Sequence, residues 1–267
     1  MAKKGKPKKN NPYILGVIPA RFASTRLMGK PLAYIGGKSL LQHTYDGACK
    51  SKLMNQVVIA VDDEQVAKEA KAFGAAVMMT PKDCASGSDR IAIVAKEFPL
   101  ADIIVNIQGD EPFISGMMID QAIEPLLFDA EVNVSTLAKL IENVQELKSP
   151  SVVKVVFDYK NFALYFSRSP IPFVRDAKDE KEMLEKADFY KHVGLYVYRK
   201  EYLIKFTQLA PTDLERWENL EQLRMMENGF KIKIVETEYD SFSIDTPEDL
   251  EKARKIYSKI KKIELAK

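Results

Sequence analysis

The feature that most restricts how this chain can fold is a regular alternation in its first half. Short apolar, β-branched runs at 14–18, 57–61, 76–79 and 103–107 read as strands, and the stretches 40–51, 64–73 and 89–98 repeat apolar residues at helical spacing. Parallel strands need a long crossover between them, and a helix fills it. The pattern therefore predicts an α/β chain with a mostly parallel central sheet and helices on both faces.

The second half changes character. Strands are expected at 151–158, 161–168 and 192–199, the first two joined through Asp158-Tyr-Lys-Asn161 as a hairpin, which adds an antiparallel patch to the sheet. Before the last of them, 175–188 is dense in charge and reads as a mobile loop or a short surface helix. A helix over 212–228, a strand over 231–236 and a helix after Pro247 complete the order. With 267 residues the chain is near the upper size for one domain. Residues 13–267 are expected to form it, with 151–210 as an inserted smaller lobe.

Charge bounds the partners. The formal net charge is +2, yet five lysines (Lys3, Lys4, Lys6, Lys8, Lys9) stand at the very start, so the body of the chain is mildly acidic. That excludes a broad nucleic-acid surface. Residues 1–12 read as a solvated, disordered basic tail. An export signal is discarded, because the apolar stretch 13–20 is short, holds Gly16 and Pro19, and runs into Arg21 without a small-residue cleavage site. No apolar run is long enough to span a bilayer. Cys49 and Cys84 have no CxxC spacing and read as reduced core thiols, while His43 and His192 are too few for a His-rich metal cluster. A cytoplasmic enzyme is the class these features allow.

The loop leaving the first strand carries the sharpest chemistry. In Ile18-Pro-Ala-Arg-Phe-Ala-Ser-Thr-Arg-Leu-Met-Gly-Lys-Pro-Leu32, three cations (Arg21, Arg26, Lys30), two hydroxyls (Ser24, Thr25) and a glycine follow an apolar strand. Arginine forks and a lysine point charge neutralise phosphate oxygens, and loop N–H groups can line the anion. The alternative is ordinary surface charge. Placement beyond a strand's carboxyl end, where α/β sheets bind ligands, favours a triphosphate.

Further along, Asn106-Ile-Gln-Gly-Asp-Glu-Pro112 puts Asp110 and Glu111 just past another strand end, where Asp110 could offer hard oxygens to Mg²⁺ or cap a helix. In Ser243-Ile-Asp-Thr-Pro-Glu-Asp-Leu250, Thr246, Pro247 and the acids Glu248 and Asp249 form a helix start, which leaves Asp245 as a metal ligand or a second cap. Ala85-Ser-Gly-Ser-Asp-Arg90 precedes a helix capped by Ser88 or Asp89. There Ser86 and Gly87 offer close-approach surface to a base or ribose, and Arg90 a fork for phosphate or carboxylate. Strand alternation places Arg168 with Leu164 and Phe166, in want of an anionic partner such as a substrate carboxylate, and puts His192, Gly194, Tyr196 and Tyr198 on one half-buried aromatic face. Over 212–228, Leu214, Trp217 and Leu220 form an apolar arc with Glu221 and Arg224 inside it, either an i,i+3 ion pair or a site for sugar hydroxyls.

Seven segments in chain order, IPARFASTRLMGKPL, SGSDR, NIQGDEP, YFSRSPIP, HVGLYVYR, LEQLR and DTPEDL, resemble the 3-deoxy-manno-octulosonate (Kdo) cytidylyltransferases, also called CMP-Kdo synthetases. The resemblance runs from Ile14 to Arg254. It implies a Rossmann-like sheet of the nucleotide-diphospho-sugar transferase type with a small antiparallel lobe for sugar binding and dimerisation. It also implies attack of the Kdo anomeric hydroxyl on the α-phosphate of CTP, giving CMP-Kdo and pyrophosphate for lipopolysaccharide biosynthesis. By the same resemblance Ala20, Arg21, Ser24, Thr25, Arg26 and Lys30 hold the triphosphate, and Ser86, Gly87 and Gln108 the cytidine. Asp110 and Asp245 hold Mg²⁺, and Arg168, His192, Tyr196, Glu221 and Gln222 contact the sugar acid, with Arg90 near either ligand. Arg21, Lys30, Asp110 and Asp245 form the implied catalytic set, and a homodimer the implied assembly. Departures are Met28 where proline is common, Ser88-Asp89 for a frequent Thr-Glu pair, and the charge of 175–188. The nearest alternative is the same chemistry on another sugar acid such as sialic acid, or with another nucleoside triphosphate. A nucleotide- or RNA-binding protein without catalysis is disfavoured by the intact carboxylates, and a dehydrogenase by the lack of G-x-G-x-x-G after the first strand.

Overall fold

The computed structural model describes residues 11–23 and 27–265. β1 (Tyr13–Ala20) leads through a 3₁₀ turn (Lys30–Leu32) and a hairpin, β2 (Tyr34–Ile35) and β3 (Lys38–Ser39), into α1 (Leu40–Ala48). Gly36 and Gly37, at φ 56° and 92°, supply the two left-handed positions that a two-residue hairpin loop requires. Next come β4 (Gln56–Val61), α2 (Glu64–Ala72), β5 (Ala76–Met79), α3 (Gly87–Glu97), β6 (Ala101–Asn106), α4 (Gly116–Phe128) and β7 (Val134–Leu140), in the alternation that the sequence predicts. Ser39, Asp63, Ser86 and Ser115 each accept a backbone N–H at the start of α1 to α4, satisfying donors that a helix leaves open. The remainder is α5 (Val144–Lys148), β8 (Lys154–Phe157), β9 (Ala163–Ser167), α6 (Glu180–Lys186), β10 (Tyr190–Arg199), α7 (Lys200–Thr207), α8 (Asp213–Glu218), α9 (Glu221–Glu227), β11 (Lys233–Glu236) and α10 (Pro247–Leu265).

The main sheet runs β11-β7-β10-β6-β1-β4-β5. β1 is parallel to β4 and β6, β4 to β5, and β7 to β11, while β10 runs against both of its neighbours. The chain steps from β1 outward to β5 and then returns to the other side of β1 as β6. Open α/β sheets bind ligands beyond the carboxyl ends of strands at such a reversal. Alternation along β1 feeds both faces. Ile14 and Ile18 pack with Leu41, Val66 and Met118 of α1, α2 and α4, and Leu15 and Val17 pack with Ile91, Val94 and Leu203 of α3 and α7. Each such side chain contributes about 1.5–3 kcal/mol of burial.

Several expectations change here. Within 151–210, only the β8–β9 hairpin stands off the main path, paired through β8 to β10. β10 itself fills the gap between β6 and β7, and α7 packs on α3 and β6. A bulge opposite Val156 and Phe157 shifts the register of β9, leaving Leu164 60% exposed and Phe166 fully buried, so the two do not share a face. The helix expected over 212–228 breaks. A Thr212–Glu215 capping box starts α8, and Asn219, at φ 52° and ψ 52°, ends it in the left-handed conformation that asparagine tolerates. Trp217 lies on the surface instead of in an apolar arc. In the charged stretch a short helix forms, and Met183 and Leu184 of α6 pack against Ile141, Leu147 and Phe189. Both cysteines are free thiols, but Cys49 is exposed and Cys84 half-buried, so neither is a core residue. Ser24, Thr25, Arg26 and the five tail lysines lie outside the described residues.

Candidate active site

Three residues far apart in sequence meet beyond the carboxyl ends of β1 and β6. The Lys30 ammonium lies 2.6 Å from Asp110 Oδ2 and 3.1 Å from Asp245 Oδ1. Burial alone would pull the Lys30 pKa down, but the two carboxylates outweigh it and hold the ammonium above its ordinary value. Ile244 N–H donates to Asp110 O at 3.0 Å, joining the loop after β6 to the loop before α10. Gly109 lets this happen, since a Cβ there would lie 2.6 Å from Pro19 O. The start of α10 is served by Asp249, whose Oδ2 accepts from Asp245 N–H and Thr246 N–H, while Thr246 Oγ1 accepts from Asp249 N–H. The Asp245 carboxylate is thus turned to Lys30 and not to the helix. Among the described residues no group of three or more His, Cys, Asp or Glu forms a metal cage. Two hard carboxylates within reach of one cation do suit an ion such as Mg²⁺, which takes one or two carboxylates and fills its remaining positions with phosphate and water.

Arg90 points into the protein and does not line the cavity described below. Its side chain is fully buried, with Nη2 2.9 Å from Asp62 Oδ2 and Nη1 donating to Thr80 Oγ1. A desolvated guanidinium persists only beside an anion, and Asp62, next after β4, supplies it. Asp62 Oδ1 also accepts Phe22 N–H at 3.1 Å, and Phe22 O accepts Gly29 N–H at 3.2 Å. Arg90 therefore braces the cationic loop from behind. Ala20 is buried at the end of β1, and Arg21 is half-buried where the loop begins.

The segment bearing Asp110 also lends Gln108 to a cavity of about 360 Å³. Gly87 and Ser88 line it from α3, and His192, Gly194, Tyr196 and Tyr198 from β10. Asn219, Leu220, Glu221 and Gln222 line it from the α8–α9 junction. Gly87, Gln108, His192, Tyr196, Glu221 and Gln222, singled out from sequence, are thus brought together, while Ser86 serves as the N-cap of α3. Tyr196 Oη is buried and has no hydrogen-bond partner among the described residues. Ser88 Oγ donates to Glu221 Oε2 at 2.8 Å. The Glu221–Arg224 pair does not form, because the helix break redirects Arg224 Nε to Glu215 Oε2, 3.1 Å away. Arg168 does not line the cavity. Its Nε and Nη2 donate to the carbonyls of Glu218 and Asn219 at 2.6 and 3.2 Å, and Nη1 to Pro150 O at 2.8 Å, so backbone oxygens take the place expected for a substrate carboxylate.

Residues 15–234 match the family model described as cytidylyltransferase. A 3-deoxy-manno-octulosonate cytidylyltransferase of Geotalea uraniireducens is 51% identical over 243 residues, spanning 90% of this chain and 96% of that protein. The chain belongs to the 3-deoxy-manno-octulosonate cytidylyltransferase family. A relative of the same name from Pelobacter propionicus is 51% identical over 251 residues, covering 92% of this chain and 98% of its own. A solved CMP:2-keto-3-deoxy-manno-octonic acid synthetase complexed with CTP superposes with a TM-score of 0.86 at 40% identity, covering 92% of this chain and 99% of that one.

Two residues that touch lining residues of this cytidylyltransferase cavity, Glu111 beside Gly194 and Thr136 beside His192, were given no role from the sequence. Glu111 is buried, and its carboxyl is pushed up to about 7 by desolvation and then by Asp110, against a hydrogen bond from Ser241 Oγ at 2.9 Å. Its position beside Gly109 and Asp110 was the available signal. Thr136, on β7, places Oγ1 2.9 Å from His192 Nε2, and no local motif announces it. Burial moves the His192 pKa from its usual 6.5 to about 3. The unfolded chain therefore binds a proton that the folded chain refuses, so His192's contribution to stability is complete above pH 6.5 and is lost as pH falls toward 3. In an NMR titration from pH 7.5 to about 5, the His192 ring signals are expected to stay fixed while the protein remains folded. A His192 midpoint near 6.5 would contradict a neutral, buried imidazole.

Proposed function

We propose that this protein couples CTP to Kdo, releasing pyrophosphate and yielding CMP-Kdo for lipopolysaccharide biosynthesis. The observation that carries this reading is the meeting of Lys30, Asp110 and Asp245 next to a cavity with a cytidine end and a sugar end. At the first, Gly87 and Gln108 line the wall beside Ser86. At the second, His192, Tyr196, Glu221 and Gln222 offer donors and acceptors for sugar hydroxyls. The Tyr196 hydroxyl suits a substrate oxygen, since a buried donor without a partner costs about 1–3 kcal/mol.

Ala20, Arg21, Ser24, Thr25, Arg26 and Lys30 hold the triphosphate, with Lys30 positioned to meet charge that develops on the leaving pyrophosphate. Asp110 and Asp245 would hold Mg²⁺, which when bound polarises the phosphate and lowers the pKa of the attacking hydroxyl. The chain itself contributes positioning and charge neutralisation, and no protein nucleophile is required. His192 stays neutral and donates or accepts hydrogen bonds; it does not serve as the base. Arg168 acts on the cavity wall through the Glu218 and Asn219 carbonyls. A homodimer in the cytoplasm completes our reading, and no helix among the described residues is long and apolar enough to cross a membrane.

The test is pyrophosphate release from CTP with Kdo and Mg²⁺, run beside UTP, GTP and ATP and beside sialic acid. Turnover confined to CTP with Kdo is expected. Inert Kdo with reactive sialic acid would overturn the substrate assignment.

A further inference from the structure

We infer that Ser88 is a positioning residue that ties the nucleotide end of the cavity to its sugar end through Glu221. The inference rests on the function proposed above. Ser86, and not Ser88, caps α3, its Oγ accepting Asp89 N–H at 3.2 Å, so the Ser88 hydroxyl is left for another task. Ser88 is 6% exposed, lines the cavity, and donates to Glu221 Oε2 at 2.8 Å across 133 residues of sequence.

Glu221 needs such a tie. It is the first residue of α9, directly after the Asn219 break, and the N-cap position, Leu220, has no side chain that can cap. The other polar anchors of this wall act elsewhere. Arg168 grips the carbonyls of Glu218 and Asn219, and Arg224 pairs with Glu215. Neither touches the Glu221 carboxylate. With Oε2 engaged by Ser88, the carboxylate is oriented and Oε1 is kept for a substrate hydroxyl. Because Gly87 is the adjacent residue, a nucleoside seated on the first turn of α3 also steadies the acceptor for the sugar. The two ligands should then bind with positive coupling.

Steady-state kinetics of the full-length enzyme test this. Ser88→Ala is expected to raise KM for Kdo about tenfold, the effect of losing one hydrogen bond to a charged group, with KM for CTP changed less than about twofold. Ser88→Thr, which keeps the hydroxyl, is expected to restore the Kdo KM to within about threefold. The melting temperature of Ser88→Ala should fall by only about 2–6 °C, and that of Ser88→Thr should match wild type. In a double-mutant cycle with Glu221→Gln, the Ser88→Ala effect on Kdo should shrink, because the partner it acts through is already altered. An unchanged Kdo KM in Ser88→Ala, or an undiminished effect in the Glu221→Gln background, overturns the role. The wild-type arm separates the two claims. An enzyme inert toward CTP and Kdo overturns the proposed function and this role with it, whereas an active enzyme with an indifferent Ser88→Ala overturns this role alone.

Discussion

Asp110→Asn is expected to lower kcat about a thousandfold, equivalent to about 4 kcal/mol of transition-state stabilisation when a metal ligand loses its charge. The amide fills the same volume, so the loop that Ile244 N–H and the Pro19 contact hold in place should keep its shape. What changes is electrostatic. Lys30 loses the closer of its two carboxylate partners, the one at 2.6 Å, and the cleft loses half of its anionic oxygens for a divalent ion. The apparent affinity for Mg²⁺ should fall with kcat, so raising its concentration should recover part of the activity. Pyrophosphate release measured over a Mg²⁺ series, with circular dichroism to confirm the fold, checks this. Turnover within tenfold of wild type would remove Asp110 from the metal-binding role.

Arg90→Met is expected to be the most destabilising single change at the site. Taking one partner from a buried ion pair costs about 3–5 kcal/mol, because the other charge is left uncompensated. Met approximates the buried volume, so the loss is electrostatic and not a cavity effect. For a chain of this size about 2–4 °C of melting temperature accompanies each kcal/mol, which predicts a fall of about 10 °C by calorimetry. The loop should loosen as well. Asp62, freed from the guanidinium, is the acceptor for Phe22 N–H, so KM for CTP should rise while KM for Kdo changes little. A thermal midpoint and a CTP KM that both match wild type would show that the Arg90–Asp62 pair is dispensable.

The sheet and its helices were legible because each first-half element carries its own periodicity and its own cap, and neither depends on distant residues. Legibility failed where tertiary contacts outweigh local pattern. The apolar arc of Leu214, Trp217 and Leu220 fits one helix, but Arg168 binds the carbonyls of Glu218 and Asn219 and Asn219 accepts a left-handed turn, so the helix splits. Parity along β9 is upset by a bulge that depends on its pairing with β8. Arg90 shows the limit for the site: an arginine in a polar motif reads as a ligand fork until the fold reveals Asp62 behind it. The convergence of Lys30, Asp110 and Asp245 was expected because Lys30 and Asp110 follow strand ends and Asp245 precedes a helix start. What sequence spacing could not convey was the pairing across the cavity, such as Ser88 with Glu221 or Thr136 with His192.

The split at Asn219 leaves α8 with six residues and α9 with seven. Helices of fewer than about 12 residues scarcely hold together in water, so this wall keeps its form by side-chain anchors and not by helical propensity. Those anchors run through Arg168, Arg224, Ser88 and Ser167, whose Oγ donates to Glu218 Oε1, with Leu223 and Met225 buried beneath them. Amide exchange with solvent should thus begin here well before the strands release their protons, making this stretch the natural door through which a bulky sugar nucleotide leaves.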